Sequence, residues 1–243
     1  MKTRITYYDL DLRGRVKLSA LLRMVHIAAD INANELGIGY EVLSGLNMSF
    51  VLQRFGLSFT RMPVYNENVT IKTWPDSIAR GTFLRKGDMY DDNGNKLMEW
   101  SSLWILFDIA ARKILKPAAL PVELVGEGDK GVSIMPQRIS MPQDASALGK
   151  EFSSYTHTVR YAEVDTNIHM NNSIYGDLIG NALFPTTESA ANAPSWQEIQ
   201  INYLAETRLG EEINVTAYQN GDTFLVAGQA PDRTAFTAQI ITM

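Results

Sequence analysis

The sequence repeats itself weakly, with the same features in the same order in its two halves. Asp11 and Asp165 each end an extended stretch before a helical pattern, and they lie 154 positions apart, as do Ser19 and Ser173. The strand-like segments that follow match at an offset of 144, so the first half carries about ten extra residues after its helix. A repeat of this length predicts two similar structural units that pack together.

Each half is predicted to be one helix followed by several antiparallel strands. The first helix, near residues 18–36, is apolar on almost every face, which predicts that it is buried. The second, near residues 172–184, has a narrower apolar stripe. Asn93-Gly94 predicts a tight hairpin, because these residues readily adopt positive φ. A buried helix wrapped by a curved antiparallel sheet is the hot-dog arrangement, so the expected fold class is α+β, a tandem double hot-dog.

A length of 243 residues suits one large domain or two domains of about 120 residues each, and the repeat favours two. The stretch between the halves contains Pro136, Pro142 and Gly149 and lacks strong periodicity, as is typical of a linker. The predicted boundaries are therefore an N-terminal domain at 1–134, a linker at 135–150 and a C-terminal domain at 151–243.

Composition removes several classes of function. The sequence has no cysteine, which excludes disulfides, thiolate nucleophiles and thiolate metal ligands. Its three histidines are scattered, so no metal and no cofactor are predicted. A net charge of -5 argues against a nucleic-acid partner. No signal segment and no long apolar run is visible, so we expect a cytoplasmic protein without a membrane partner.

A run of polar side chains in the second half interrupts the apolar pattern between an alternating strand and the amphipathic helix. Asp165, Asn167 and His169 are spaced by two, so an extended chain would point all three to one side. Ile168 and Met170 would then anchor the segment in the core. This concentration of hydrogen-bonding groups predicts a functional site.

The residues around this run support one site per chain. Asn171 or Asn172 is expected to be the N-cap of the second helix. In the first half, Arg13 and Arg15 stand where the amide and the imidazole would be. The site is therefore predicted in the second half alone, and the two arginines are expected to have another role.

The pattern Asp-x-Asn-x-His-x-Asn-Asn before a helix resembles the active-site segment of plant and bacterial acyl-acyl carrier protein thioesterases. The resemblance covers almost the whole chain, including residues 50–52, 69–74, 101–105 and 203–207. It implies a tandem double hot-dog, in agreement with the repeat. It also implies four catalytic residues: Asp165, Asn167, His169 and Glu206.

The sequence departs from the plant enzymes at one position. A cysteine follows the glutamate there, whereas Thr207 follows Glu206 in this chain. Thioester hydrolysis here would therefore need an activated water and a stabilised oxyanion. Either Asp165 or Glu206 would take the proton from water, with Asp165 ranked first for necessity. Asn167 would orient the water or the carbonyl, and His169 would hydrogen-bond the carbonyl or the leaving thiol.

The acyl chain needs an apolar tunnel, which the resemblance implies is set largely by the first half. Asn171 is a further candidate for substrate binding. The candidates for the tunnel lie on the first helix and the strand after it: Met24, Val25, Ala28, Ala29, Met48, Phe50 and Leu52.

The implied partner, acyl carrier protein, is acidic, so a local basic patch should receive it. Because the tandem chain supplies both hot-dog units, it could work as a monomer, and a homodimer is the alternative. Three clusters are candidates for the docking patch: Arg13-Arg15-Lys17, Arg80-Arg85-Lys86 and Arg112-Lys113-Lys116.

The expected function is hydrolysis of fatty acyl-acyl carrier protein to free fatty acid and holo-acyl carrier protein, which ends chain elongation in fatty acid biosynthesis. One alternative is an acyl-coenzyme A thioesterase with the same fold and site. A hot-dog hydratase ranks lower, because the Asp-x-Asn-Pro-x-His pattern of that class is absent. A non-catalytic module that binds acyl thioesters is the third alternative.

Overall fold

The two halves of the chain build one continuous antiparallel sheet. The computed structural model describes residues 1–124, 126, 131–141, 148–191 and 194–242. The strands of the first half are β1 (Lys2–Arg4), β2 (Met48–Phe59), β3 (Asn68–Ala79), β4 (Thr82–Asp91), β5 (Lys96–Asp108) and β6 (Lys113–Leu115). The strands of the second half are β7 (Lys150–Thr158), β8 (Trp196–Tyr203), β9 (Glu212–Asn220), β10 (Thr223–Gln229) and β11 (Thr234–Thr242).

The strand order shows how the halves are related. Across the sheet the order is β1-β3-β4-β5-β2-β8-β11-β10-β9-β7, with β6 paired to β5 outside this path. The second half therefore mirrors the first, and the equivalent strands β2 and β8 meet antiparallel in the middle. An antiparallel pairing of equivalent strands relates the halves by an approximate two-fold axis. This arrangement confirms the predicted α+β double hot-dog.

Helices α1 (Leu18–Glu35) and α3 (Ile174–Leu183) pack against each other within one apolar core shared by both halves. Leu21 and Leu22 of α1 are fully buried, as the apolar pattern predicts, and burial of each such side chain stabilises the fold by about 1.5–3 kcal/mol. Two shorter helices, α2 (Tyr40–Gly45) and α4 (Thr187–Ala191), follow the long ones.

A glycine permits the close approach of α1 and α3. A Cβ on Gly176 would lie 2.6 Å from the backbone nitrogen of Ser19 and 2.9 Å from the carbonyl carbon of Leu18. The hydroxyl of Ser19 also donates to Asp177 across this contact. The N-terminal turns of the two helices are thereby held side by side.

The part of the predicted linker that the structure describes runs along the sheet at the junction of the halves. The backbone N–H groups of Gln137 and Ile139 donate to Gln200 and Asn202 of β8, both at 2.9 Å. Asn202 donates back to the carbonyl of Gln137 at 2.7 Å. Buried amide side chains of β8 thus satisfy backbone groups of this segment, and positions 142–147 of the predicted linker lie outside the described residues.

The predicted hairpin between β4 and β5 is present but is wider than a two-residue turn. Of the Asn93-Gly94 pair only Gly94 has a positive φ, of 82°. The carboxylate of Asp91 accepts the backbone N–H groups of Asn93 and Asn95, and this determines the wider loop.

None of the described helices combines the length and apolar character needed to cross a bilayer.

Candidate functional site

The polar segment of the second half is a tight turn and not an extended strand. Val164 and Met170 form an isolated bridge, and between them Asp165 and His169 are joined by a backbone hydrogen bond of 3.1 Å. Met170 is buried as predicted. Ile168 is 76% exposed, so its predicted place in the core is wrong, because the chain reverses direction at this residue.

Ile168 also holds a strained backbone conformation. Its φ is +67°, close to the +72° of its first-half counterpart Gly14. β-branched residues rarely adopt positive φ, and strain of this kind persists where the surrounding structure enforces it, often at functional sites. The segment around Ile168 is therefore held in one shape.

The carboxylate of Asp165 helps to hold that shape. One oxygen accepts the backbone N–H of Asn167 at 2.8 Å, and the other accepts the side-chain amide of Asn171 at 3.0 Å. Asp11 in the first half accepts the backbone N–H groups of Arg13 and Arg15 in a similar way. Since this arrangement occurs in both halves, the main role of the aspartate is to hold the turn closed.

Asn171 links the turn to helix α3. Its side-chain oxygen accepts the backbone N–H of Ser173 at 3.0 Å and the Ser173 hydroxyl at 2.8 Å. The N-cap residue is Ser173, and not Asn171 or Asn172 as predicted, because one further turn precedes α3. Asn171 still satisfies a backbone donor at this helix start and joins it to Asp165.

Glu206 lies close to this turn, after the end of β8. The backbone N–H of Met170 donates to the carbonyl of Thr207 at 2.7 Å, which fixes the turn to the segment that carries Glu206. Partial burial disfavours the charged form of Glu206, but the electrostatic influence of nearby His169 and the hydrogen bonds from Arg208 and Arg112 outweigh it and lower the pKa of this carboxyl. Glu206 is therefore ionised at neutral pH.

Two arginines from different halves flank Glu206. Arg112 and Arg208 lie 3.5 and 3.4 Å from its carboxylate, and their side chains are 63% and 57% exposed. Sequence reasoning missed Arg112 in this role, because it lies 94 positions from Glu206. This corner is thus assembled from both halves of the chain.

The remaining predicted residues differ in exposure. His169 is half-buried, and its Nδ1 lies 3.5 Å from the carbonyl of Met170. Asn167 is exposed on the turn. Thr207 is fully buried, and its hydroxyl is paired with that of Tyr175 at 3.0 Å, so it supports the site and does not face solvent.

An apolar cavity of about 230 Å³ lies between α1, α2 and the first-half strands. Of the predicted tunnel residues, Ala29, Met48 and Phe50 line it. The other four belong to the buried core: Met24, Val25, Ala28 and Leu52.

Backbone pairing connects this cavity to Glu206. Met48, which lines the cavity, pairs with Asp108 at the end of β5. The turn after Asp108 carries Arg112, which contacts Glu206. The β5–β6 turn thus runs from the cavity edge to the candidate site.

His26 is the one histidine in the cavity lining. Burial lowers its pKa to about 4, so its imidazole is neutral at physiological pH. It contacts Phe55 and Trp104 edge-to-face, and its Nε2 has no hydrogen-bond partner among the described residues. These contacts give His26 a structural role at the edge of the cavity.

Comparison with protein families now identifies the chain. A model described as the acyl-ACP thioesterase N-terminal domain matches residues 1–120, and one described as the acyl-ACP thioesterase C-terminal domain matches residues 146–234. The chain belongs to the acyl-ACP thioesterase family. It is therefore a thioester hydrolase, as the resemblance implies. No curated protein sequence matches this thioesterase at a significant level.

Solved structures share the fold of this thioesterase over its full length. An acyl-ACP thioesterase from Bacteroides thetaiotaomicron is 20% identical, with a TM-score of 0.85 over 100% of this chain and 96% of that one. The 12:0-ACP thioesterase from Umbellularia californica is 15% identical, with a TM-score of 0.78 over 100% of this chain and 96% of that one. At these identities the likeness establishes the fold.

The basic clusters of the thioesterase differ in accessibility. Arg13 is nine-tenths buried and Lys86 is buried, so neither of their clusters forms an open patch. Arg112, Lys113 and Lys116 are all exposed. This third cluster is also the one that reaches Glu206.

No group of three or more carboxylate or imidazole side chains that could hold a metal ion occurs within the described part of the thioesterase.

Proposed function

We propose that this thioesterase hydrolyses fatty acyl-acyl carrier protein to free fatty acid and holo-acyl carrier protein, which ends chain elongation in fatty acid biosynthesis. The observation that carries the proposal is the β5–β6 turn, which joins an apolar cavity to an ionised glutamate beside His169. An acyl chain requires such a cavity, and its thioester requires a group that activates water at the cavity edge.

Glu206 is the general base in this proposal. Both oxygens of Asp165 already accept hydrogen bonds within the turn, so that carboxylate is poorly placed to bind a water. Glu206 is ionised and its side chain is 38% exposed, so water can reach it. The assignment reverses the order of the two carboxylates that the sequence suggested, and Asp165 becomes a positioning residue.

The reaction then proceeds by attack of water on the thioester carbonyl. Glu206 takes a proton as the water oxygen bonds to the carbonyl carbon, and the carbonyl oxygen becomes an oxyanion. Asn167 and His169 donate hydrogen bonds to this oxyanion, and the backbone N–H groups at the start of α3 stabilise it with their partial positive charge. The carbon–sulfur bond breaks when the oxyanion collapses, and the thiolate receives the proton.

The repeat supports the first cavity as the acyl site. In the first-half turn, Arg13 and Arg15 contact Phe184 and Pro194, which line an equivalent cavity in the second half. The two-fold relation between the halves then directs the turn at His169 towards the first cavity. Each half would thus contribute one part of a single site, which a monomer contains in full.

We further propose that the exposed Arg112-Lys113-Lys116 cluster receives the acidic carrier protein. It lies beside Glu206, where the carrier must present the thioester. Charge reversal by Lys113→Glu with Lys116→Glu should raise KM for carrier-linked substrate and leave coenzyme A-linked substrate unchanged. Arg80→Glu, at an exposed position in another cluster, is the matched control. Equal effects of the two changes would reject this docking patch.

A panel of acyl chains, each presented on acyl carrier protein and on coenzyme A, tests the function. The proposal expects strongly preferred hydrolysis of one range of carrier-linked chains. Comparable or faster hydrolysis of the coenzyme A thioesters would make the protein an acyl-coenzyme A thioesterase with the same site. Loss of activity in Glu206→Gln, with Asp165→Asn less affected, would support the assignment of the base, and the reverse order would contradict it.

A further inference from the structure

The second half contains an apolar cavity that corresponds to the acyl cavity of the first. Its volume is about 240 Å³. By the offsets of the repeat, Phe224 occupies the position of Phe83, and Phe184 that of Asp30. Phe184 stacks on Trp196, and both rings face the cavity. The duplication has therefore preserved a cavity here as well as a core.

Two arginines contact residues that line this cavity, and both belong to the turn that corresponds to the catalytic one. The Arg13 guanidinium sits 4.1 Å above the ring of Phe184. Its Nε and Nη2 bond to Asp11, but its Nη1 is buried and has no hydrogen-bond partner among the described residues. A buried cationic donor without an acceptor is costly, so this position favours an anion.

Arg15 adds a second positive charge at the same cavity. Its Nη1 donates to the carbonyl of Pro194, which lines the cavity, at 3.3 Å. Within the described part of the chain it pairs with no carboxylate. Asp11 therefore balances the charge of Arg13, and the charge of Arg15 is left without a paired carboxylate among the described residues.

The residues of the first-half turn are suited to binding an anion and not to hydrolysis. Arg13 and Arg15 stand where Asn167 and His169 stand in the catalytic turn, and Met62 takes the position of Glu206. Guanidinium groups bind carboxylates well but are too basic to exchange protons at neutral pH. Within the described residues, the cavity thus has an apolar interior and two arginines beside it, and no carboxylate stands at the position that corresponds to Glu206.

We propose that this second cavity binds a molecule with a carboxylate and an apolar tail, that is, a free fatty acid. The tail would lie among Phe152, Phe184 and Phe224, and the carboxylate would accept hydrogen bonds from Arg13 and Arg15. Apolar cavities of about 150 Å³ bind benzene, so this one has room for a tail of at least six carbons. The inference does not depend on which thioester the enzyme hydrolyses.

The test uses bromo-octanoate, whose bromine quenches tryptophan fluorescence on contact. The background variant Ala33→Phe fills the first cavity, so that binding reports on the second. We expect saturable quenching that disappears in Ala33→Phe with Trp196→Phe. Arg15→Gln, and separately Arg13→Gln, should weaken octanoate binding by about tenfold or more, because a charge-assisted hydrogen bond is lost. Arg15 is only half-buried, so its variant remains informative if Arg13→Gln fails to fold.

Octanol is the matched control ligand, with the same tail and no charge. In the Ala33→Phe background, octanoate should bind more tightly than octanol, and Arg15→Gln should abolish that preference. Retained thioesterase activity of Arg15→Gln, in a chain with Ala33, shows that the protein is folded. Octanoate binding no tighter than octanol, or quenching that survives Trp196→Phe, would overturn the proposal.

Discussion

Substitution of Gly176 by alanine tests the helix contact that holds the two halves together. The added Cβ would lie 2.6 Å from the nitrogen of Ser19 and 2.9 Å from the carbonyl carbon of Leu18. Both are backbone atoms, so α1 itself must move. Overpacking of this kind costs about 1–3 kcal/mol. Gly180→Ala is the matched control in the same helix, because nothing lies within 4 Å of its Cβ.

Gly176→Ala should be less stable than Gly180→Ala by the cost of overpacking. Alanine is favoured over glycine within a helix by about 1 kcal/mol, and both variants gain this amount of stability. We therefore expect Gly180→Ala to melt slightly above the wild type, and Gly176→Ala to melt about 2–12 °C below Gly180→Ala. Differential scanning calorimetry at one protein concentration measures both values. A Gly176→Ala protein as stable as Gly180→Ala would refute the close helix contact.

Three further substitutions test the site and the cavity. Arg112→Gln should raise the pKa of Glu206 and move the acidic limb of the kcat/KM profile to higher pH; an unmoved limb would argue against Glu206 as the base. Ala33→Phe should shift the preferred acyl chain to shorter lengths, and an unchanged preference on the same panel would exclude this cavity. His26→Leu should reduce the loss of stability at acid pH. In the unfolded chain the imidazole binds a proton below pH 6.5, whereas in the folded chain it does so only below about 4. The free energy of unfolding of the wild type therefore falls by up to about 3 kcal/mol as the pH drops between these values. Urea denaturation at a series of pH values checks this, and equal losses in both proteins would exclude it.

The fold could be predicted from the sequence because its signals are local and occur twice. The apolar faces of α1 are visible in 18 consecutive residues, and the repeat places a similar unit after it. Asp165 and His169 could be found as polar residues in an apolar pattern. The predicted place of Ile168 in the core is wrong, because the alternation of an extended strand does not hold in a turn. Its positive φ depends on hydrogen bonds that the pattern does not contain.

Features that depend on distant residues could not be predicted in this way. Arg112 reaches Glu206 only because the β5–β6 turn extends to the second half. On α1, Ala28 is in the core and its neighbour Ala29 lines the cavity. The choice between them depends on where α2 and the strands pack, which the helix sequence does not specify. The contacts of Gln137 with β8 likewise join residues 63 positions apart.

In the proposed function, one of the two related turns is catalytic and the other is not. His169 and Arg15 occupy the same position in their respective turns, so His169→Ala and Arg15→Ala form a matched pair. The most direct measurement is kcat/KM for hydrolysis of acyl-acyl carrier protein by both variants. His169→Ala should lower it by about 10²–10⁴-fold, the range for a lost acid–base or oxyanion-stabilising group, while Arg15→Ala retains it. Full activity in His169→Ala, or an equal loss in both, would contradict the account.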